Sequence, residues 1–229
     1  MNIVYCFSGT GHSRIIAQYF ASKLICDIVE IETIESISDK EYQTSVIVFP
    51  VYCQNIPIPI KTKISKIRAN NFVLIATYGG ISFGNVIQEA SCLIDGKVIA
   101  AACIPMGHTY LNNTVEIDYS SLDPIFERIN KPQNTIIQKC HKNIFSNFFP
   151  TMRSHIGVKM KINDNCNKCG LCEQRCPMKA IVNGKIGNKC IRCLRCANNC
   201  PHNAIKVTYH PILSHYLSRK KDQEVTLFL

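Results

Sequence analysis

The chain has 229 residues, of which 46% are hydrophobic and 18% charged, and its formal net charge is +10 at pH 7. This composition excludes an intrinsically disordered chain, and the length allows one large domain or two small ones. The longest apolar runs, such as SVIVFPV and VIAAACIPM, are too short to cross a bilayer. The N-terminus lacks the basic and apolar regions of a signal peptide, so we expect no membrane span and a cytoplasmic protein.

Strand-like and helix-like patterns alternate over the first 130 residues. Between the first two strand-like segments, and again between the fourth and fifth, apolar residues recur at helical spacing. Alternation of this kind predicts an α/β fold with a doubly wound, parallel, five-stranded sheet, whose ligands bind at the carboxyl ends of the strands. The predicted strands cover residues 2–8, 26–32, 45–51, 72–78 and 98–104.

The first predicted strand runs into the loop SGTGHSR, at residues 8–14, and then into a helix. Small residues and a helix N-terminus favour an anion, and the loop hydroxyls suit a terminal monophosphate. No Gly-Lys-Ser/Thr follows, which excludes a Walker loop, and Arg14 replaces the third glycine of a dinucleotide fingerprint. The alternative is a tight strand–helix turn in which a hydroxyl only caps the helix. The candidate phosphate contacts are Ser8, Gly9, Thr10, Gly11, His12 and Ser13.

This loop resembles the flavodoxin pattern Ser/Thr-x-Thr-Gly-x-Ser/Thr, and two later segments resemble flavodoxin flavin loops. PVYCQNIP (50–57) follows the third predicted strand, and TYGGISFGN (77–85) follows the fourth. The resemblance implies FMN as the cofactor, with one tyrosine stacked on its ring and backbone groups of residues 53–55 and 79–80 at its polar edge. Ordinary core packing is the alternative for the other tyrosine. The implied contacts are Tyr52, Cys53, Gln54, Asn55, Thr77, Tyr78, Gly79 and Gly80.

The loop after the third strand lacks the glycine that many flavodoxins place there. Residues 52–56 contain none, so Asn55 is the best candidate for a positive φ, at a steric cost that glycine avoids. Cys53 in the same loop is either a redox thiol or a small space-filling residue. His108 and Tyr110, after the fifth strand, are expected to border the flavin without a catalytic role.

Eight of the 14 cysteines lie between residues 166 and 200 in two copies of the pattern C-x2-C-x2-C-x3-C-P, 24 residues apart. This is the bacterial ferredoxin pattern, in which the fourth cysteine of each copy binds the cluster of the other copy. Structural zinc takes two separated C-x2-C pairs, and disulfides are rare in the cytosol, so both alternatives fit poorly. The spacing therefore predicts two [4Fe–4S] clusters, one held by Cys166, Cys169, Cys172 and Cys200 and the other by Cys190, Cys193, Cys196 and Cys176.

Residues 1 to about 209 together resemble the flavodoxin–ferredoxin fusion proteins of anaerobic bacteria and archaea. We predict a flavodoxin-like FMN domain with a helical connector at 1–150, a ferredoxin domain at 151–209 and a tail at 210–229. The connector itself, at 139–157, is expected to be helical. In the tail, residues 212, 213, 216 and 217 predict one helical face docked on the body, with a basic membrane-surface helix as the alternative.

These features predict electron transfer between the clusters and FMN. The alternatives are a flavin-dependent reductase of a small acceptor and an iron–sulfur redox sensor, so the sequence leaves open whether the protein is a carrier or an oxidoreductase. Bound clusters and FMN phosphate bring the net charge of +10 down to about +4, which argues against nucleic-acid binding. The expected partners are redox proteins, either a ferredoxin-type donor or an oxidoreductase acceptor, and the oligomeric state stays open.

Overall fold

A parallel β-sheet organises the first half of the chain in the computed structural model, which describes residues 1–37, 41–111, 115–148, 150–219 and 224–229, without the side chains of 148 and 150–153. Five parallel strands stand in the order 2-1-3-4-5, and a C-terminal strand, Thr226–Phe228, joins the edge beside the fifth. This order is that of the flavodoxin-like doubly wound sheet, so the predicted fold class is confirmed. The parallel strands are β1 (Asn2–Cys6), β2 (Ile28–Glu30), β3 (Tyr42–Pro50), β4 (Ala69–Tyr78) and β5 (Lys97–Pro105).

Helices cover both faces of the sheet. One face of the sheet carries α1 (His12–Leu24), and the opposite face carries the short α2 (Ile58–Lys61) and α3 (Val86–Ser91). A further helix, α4 (Asp123–Asn130), packs beside α1. Phe20 of α1 is fully buried, a burial that contributes about 1.5–3 kcal/mol to folding.

The second half of the chain is built from short elements around the two cysteine motifs. Of the connector predicted to be helical over 139–157, residues 145–148 and 150–157 are helical and residues 139–144 are not. An antiparallel ribbon of residues 158–162 with 205–209 and a hairpin of residues 181–182 with 185–186 frame the motifs. The elements are α5 (Phe145–Phe148), α6 (Pro150–Gly157), β6 (Val158–Ile162), α7 (Leu171–Gln174), β7 (Ile181–Val182), β8 (Lys185–Ile186), α8 (Arg195–Asn198), β9 (Ile205–Tyr209), α9 (Pro211–Leu217) and β10 (Thr226–Phe228).

The 24-residue sequence repeat is also a repeat of backbone conformation. Positive φ angles recur in pairs at that offset: 61° and 55° at Lys168 and Arg192, 75° and 58° at Gly170 and Leu194, and 48° at both Lys179 and Asn203. Residues other than glycine rarely adopt positive φ angles. Their recurrence at equivalent positions indicates that both motifs need the same tightly wound loops. The two motifs therefore fold alike.

The C-terminal tail returns to the sheet. Leu217 of α9 is buried and Leu213 packs on Gly157, whereas Ile212 is 75% exposed, so only part of the predicted helical face is docked. Beyond α9, β10 pairs antiparallel with β5, with Leu227 opposite Ala102. The chain that follows the cysteine-rich segment thus contributes an edge strand to the sheet. No helix in the described ranges has the length and apolar character needed to cross a membrane.

Candidate functional site

The three loops predicted to bind the flavin surround one cavity of about 520 Å³, the main cavity, at the carboxyl ends of β1, β3 and β4. Two predicted contacts, Gly11 and Gly80, do not line it, and both have positive φ angles, 102° and 70°. Their contribution is the backbone conformation of the loops, since glycine tolerates this region. The predicted contacts that do line the cavity are Ser8, Gly9, Thr10, His12, Ser13, Tyr52, Cys53, Gln54, Asn55, Thr77, Tyr78 and Gly79.

The loop after β1 leads into the N-terminus of α1, the feature on which its predicted anion binding depends. Gly11 is the N-cap of α1, whose first turn contains no acidic residue, and the Gly11 N–H donates to Ser8 Oγ at 3.1 Å. Ser13 is buried and its hydroxyl lies 2.7 Å from that of Thr77, which ties this loop to the one after β4. Burial lowers the pKa of His12, so its imidazole is neutral at pH 7 in the protein alone.

The loop after β3 is a tight turn from Tyr52 to Asn55, whose backbone groups exchange two hydrogen bonds of 3.1 and 2.9 Å. The positive φ angles are at Cys53 (51°) and Gln54 (63°), not at Asn55. Our expectation for Asn55 was therefore wrong, because this two-residue turn winds both of its central residues into the left-handed region. The N–H of Asn55 is used within the turn, while Cys53 is exposed.

The connector holds this turn from outside. Gln54 Oε1 accepts from the N–H of Asn143 at 2.9 Å, and Asn55 Nδ2 donates to the carbonyl oxygen of Ser146 at 2.9 Å. Lys142 Nζ lies 2.9 Å from Asn55 Oδ1 and 2.6 Å from Glu89 Oε1. The side chains of Gln54 and Asn55 thus serve the turn and the connector.

The aromatic residues of the cavity differ in burial. Tyr78 is 4% exposed and packs edge-on against Phe83 in the core, whereas Tyr52 is only partly buried, with its ring 6.4 Å from that of Phe7. A Cβ at Gly79 would lie 2.1 Å from the ring of His108, so only glycine allows this ring to close on the loop after β4. His108 and Tyr110 both line the cavity, as expected.

Four of the eight motif cysteines, Cys176, Cys190, Cys193 and Cys196, line one small cavity of about 10 Å³. They come from both motifs, in the combination expected for the second cluster. Burial raises the pKa of the Cys193 thiol to about 11 and that of Cys196 to about 12, with Arg195 lowering the pKa of Cys193. Burial therefore disfavours the thiolate forms of Cys193 and Cys196, which a bound metal centre would stabilise.

The cysteines predicted to hold the first cluster are more open to solvent than those predicted to hold the second. Cys169 is exposed and Cys166, Cys172 and Cys200 are partly buried. The charges of Cys166 and Cys172 are close enough to interact. Within the described ranges, no three His, Cys, Asp or Glu side chains converge as a single metal ion would require; a cubane instead takes one thiolate at each of four irons.

A hydrogen bond to sulfur recurs in the two motifs. The N–H of Ala180 donates to Cys176 Sγ at 3.2 Å, and the N–H of Ala204 donates to Cys200 Sγ at 3.3 Å. Hydrogen bonds of this kind stabilise a charged sulfur. They are made to the fourth cysteine of each motif, the one predicted to bind the cluster of the other copy.

The second motif packs directly on the loop after β1. A Cβ at Gly9 would lie 2.4 Å from the carbonyl oxygen of Cys193 and 2.5 Å from Tyr52 Oη, so Gly9 permits this contact. Tyr110 Oη donates to the carbonyl oxygen of Arg192 at 3.2 Å. Residues 190–195, the second-cluster loop, therefore close over the edge of the main cavity.

Arg195 fastens this loop to the sheet, a role that the sequence did not indicate. Its guanidinium donates twice to the carbonyl oxygen of Ser8, at 3.1 and 2.8 Å, pairs with Glu32 and lies 5.3 Å from the Phe7 ring centroid. The side chains of Arg195 and Glu32 are only 17% and 12% exposed. From the sequence alone, an arginine inside a cysteine motif suggests compensation of the cluster charge. No local pattern indicates a hydrogen-bond partner 187 residues away.

Residues of the C-terminal half also cover the main cavity. Ser154 of α6, Ile191 of the second-cluster loop, and Leu213 and Tyr216 of α9 all line it. The sequence indicated none of them as site residues, because they contact the cavity only through the packing of the two halves.

The molecule thus combines a flavodoxin-like sheet, defined by its strand order, with a ferredoxin-like segment, defined by its repeated motif and loop geometry. Residues 160–182 and 186–206 match the family of the 4Fe-4S binding domain. A solved structure of a flavodoxin from Streptococcus pneumonia TIGR4 aligns with 57% of this chain and 92% of its own, at 14% identity and a TM-score of 0.38. No curated protein sequence is significantly similar to the chain. The cluster motifs and the sheet together support an iron–sulfur and flavin electron-transfer protein.

Proposed function

We propose that the protein relays electrons between two [4Fe–4S] clusters and FMN, with the second cluster next to the flavin. The observation that carries this proposal is the contact between the second-cluster loop and the main cavity. Ile191 lines that cavity, and the carbonyl oxygen of Cys193 lies against Gly9 of the loop after β1. A ligand loop of one redox group therefore forms part of the wall around the other.

The residues present fit these cofactors. The small cavity of Cys176, Cys190, Cys193 and Cys196 is the proposed second cluster site, and Cys166, Cys169, Cys172 and Cys200 would hold the first. The loop after β1 would hold the FMN phosphate, with the loops after β3 and β4 around the ring. The clusters supply one-electron transfer and the flavin converts between one- and two-electron transfer. The protein fixes their spacing and excludes water.

Burial sets the proposed order of the two clusters. Cys190 and Cys193 are each 7% exposed beneath the flavodoxin-like half, whereas Cys169 is exposed to solvent. An external donor would therefore reach the first cluster, and the second would pass the electron to the flavin.

The test is a matched pair of ligand substitutions, Cys176→Ser and Cys200→Ser. Both residues are partly buried, both accept an N–H bond at sulfur, and neither lines the main cavity. Serine is a hard, weakly acidic ligand, so each variant should lose one cluster. Cys193→Ser is a poorer choice, because Cys193 contacts Gly9 and its substitution would disturb the loop after β1 as well.

Anaerobic stopped-flow absorbance and EPR with a reduced ferredoxin distinguish the two clusters. Cys176→Ser should still accept electrons at its remaining cluster while flavin reduction slows strongly. In Cys200→Ser, reduction of the remaining cluster and reduction of the flavin should both be slow. Cys26→Ser, at a partly buried cysteine outside the motifs that does not line the main cavity, is the control and should match the wild type. Normal flavin reduction in Cys176→Ser with its cluster absent would overturn the relay.

A further inference from the structure

The first cluster motif lies on an exposed, positively charged surface, the entry surface, defined by Lys161, Lys168, Arg175 and Lys206. Lys168 stands between Cys166 and Cys169 in the sequence. Arg175 Nη1 lies 3.4 Å from Oδ1 of Asn199, the neighbour of Cys200. The four cations are therefore grouped around the proposed ligands of the first cluster.

The two lysines of the ribbon belong to the same surface. Lys161 and Lys206 are direct partners in the β6–β9 register. At the adjacent end of the ribbon, Asn163 bonds to Ala204, whose N–H in turn donates to Cys200 Sγ. Like charges placed directly opposite each other across two strands destabilise a sheet. Lys161 and Lys206 are both exposed, so this destabilising pair lies at the protein surface.

None of the four cations forms an ion pair within the described ranges. Between residues 158 and 209 the acidic residues are Asp164, which is exposed, and Glu173, whose carboxylate accepts from the N–H of Gly184. Ten Lys and Arg residues lie between residues 158 and 209. An oxidised cluster with four thiolates carries a charge of about −2, so two clusters and the two carboxylates leave an excess of positive charge on this segment.

We propose that the entry surface is the docking site of an acidic one-electron carrier protein. This inference rests on the proposed relay, and it names the partner chemistry of that relay. In each encounter the carrier is oxidised by one electron and the first cluster is reduced by one; two such encounters and two protons from solvent reduce one flavin. The main cavity is covered by α6, α9 and the second-cluster loop, so the carrier docks at the exposed motif instead.

Charge reversal tests the entry surface. The variant Lys161→Glu/Lys168→Glu/Lys206→Glu is compared with Lys23→Glu/Lys97→Glu/Lys131→Glu, which reverses three exposed lysines of the flavodoxin-like half and gives the same change in net charge. The probe is a small acidic [4Fe–4S] ferredoxin. Its binding in the oxidised form is measured by calorimetry, and flavin reduction by its reduced form is measured by anaerobic stopped flow.

We expect the entry-surface variant to lose at least about tenfold in both affinity and second-order rate constant at low ionic strength, because electrostatic steering of this size is common. The wild-type rate should fall similarly as salt rises from about 20 to about 300 mM, since screening shortens the range of the field. The control variant should retain its rate and its salt dependence. Equal losses in the two variants, or no loss in either, would overturn the docking surface.

Reduced methyl viologen separates failure of the surface from failure of the relay, because this small reductant needs no protein docking site. If viologen reduces the clusters and the flavin follows in both variants, the relay operates and the ferredoxin data decide the surface alone. If the clusters are reduced and the flavin never follows, the proposed relay itself fails.

Discussion

Single residues at the junction of the two halves have more than one task. Gly9 belongs to the predicted phosphate loop, yet its missing side chain also makes room for the carbonyl oxygen of Cys193. Arg195 lies inside a cluster motif, yet its guanidinium bonds to Ser8 and Glu32 of the other half. At the scale of single residues, the loop after β1 and the second-cluster loop are therefore in direct contact.

Gly9→Ala should loosen this boundary. The added Cβ would overlap Cys193 and Tyr52, and overpacking of this kind costs about 1–3 kcal/mol. We expect faster hydrogen exchange in residues 190–195 and slower flavin reduction by the reduced clusters. Gly187→Ala is the control, because its Cβ would meet its nearest neighbour at 3.5 Å without a positive φ. Unchanged exchange and unchanged rate in Gly9→Ala would contradict the contact.

Arg195→Ala should separate the second-cluster loop from the sheet. It leaves Glu32 without its cation and removes two charge-assisted hydrogen bonds to Ser8, a loss of about 2–3 kcal/mol in the free energy of unfolding. Denaturant titration measures this loss, and iron and flavin analysis checks that the cofactors remain. Arg175→Ala, at an exposed arginine, should change stability by less than about 0.5 kcal/mol. A similar small loss for both variants would show that the Arg195 contacts contribute little.

The elements at the two ends of the C-terminal half determine how it is held. The connector bonds to the turn after β3 through Asn143 and Ser146. At the other end, β10 adds an antiparallel edge strand to β5. Attachment at both ends restricts the swing of the cluster segment and keeps its distance to the main cavity nearly constant.

Deletion of residues 224–229 should release one of these attachments. Leu227 and Phe228 pack against the two faces of the sheet core, and their partial burial contributes about 2 kcal/mol. We expect the melting temperature to fall by about 5 °C and the amides of β5 at Ala101 and Cys103 to exchange faster. Leu229→Ala, outside the strand, is the matched control. Protection of β5 that survives the deletion would mean that β10 is dispensable for the sheet edge.

For the whole molecule, the proposed cofactor content is the broadest prediction. Protein purified without oxygen should contain about eight iron, eight sulfide and one FMN per chain, from two cubane ligand sets and one monophosphate site. Metal, sulfide and flavin analysis measures this directly. Zinc in place of iron would contradict the cluster assignment, and FAD in place of FMN would contradict the interpretation of the loop after β1.

The sequence by itself determined the parallel sheet, the glycine-containing loop between β1 and α1 and the grouping of cysteines, because each depends on short-range spacing along the chain. Val and Ile runs specify buried parallel strands, and the 24-residue repeat of the motif already contains the repeat of loop geometry. Only the tertiary structure decided that the turn after β3 places its positive φ angles at Cys53 and Gln54, that residues 226–228 complete the sheet, and that the second motif is the one beside the main cavity. These features depend on contacts between residues far apart in the sequence, such as Arg195 with Ser8. Such contacts form through complementary shape and charge when the chain folds, and no local sequence pattern indicates them.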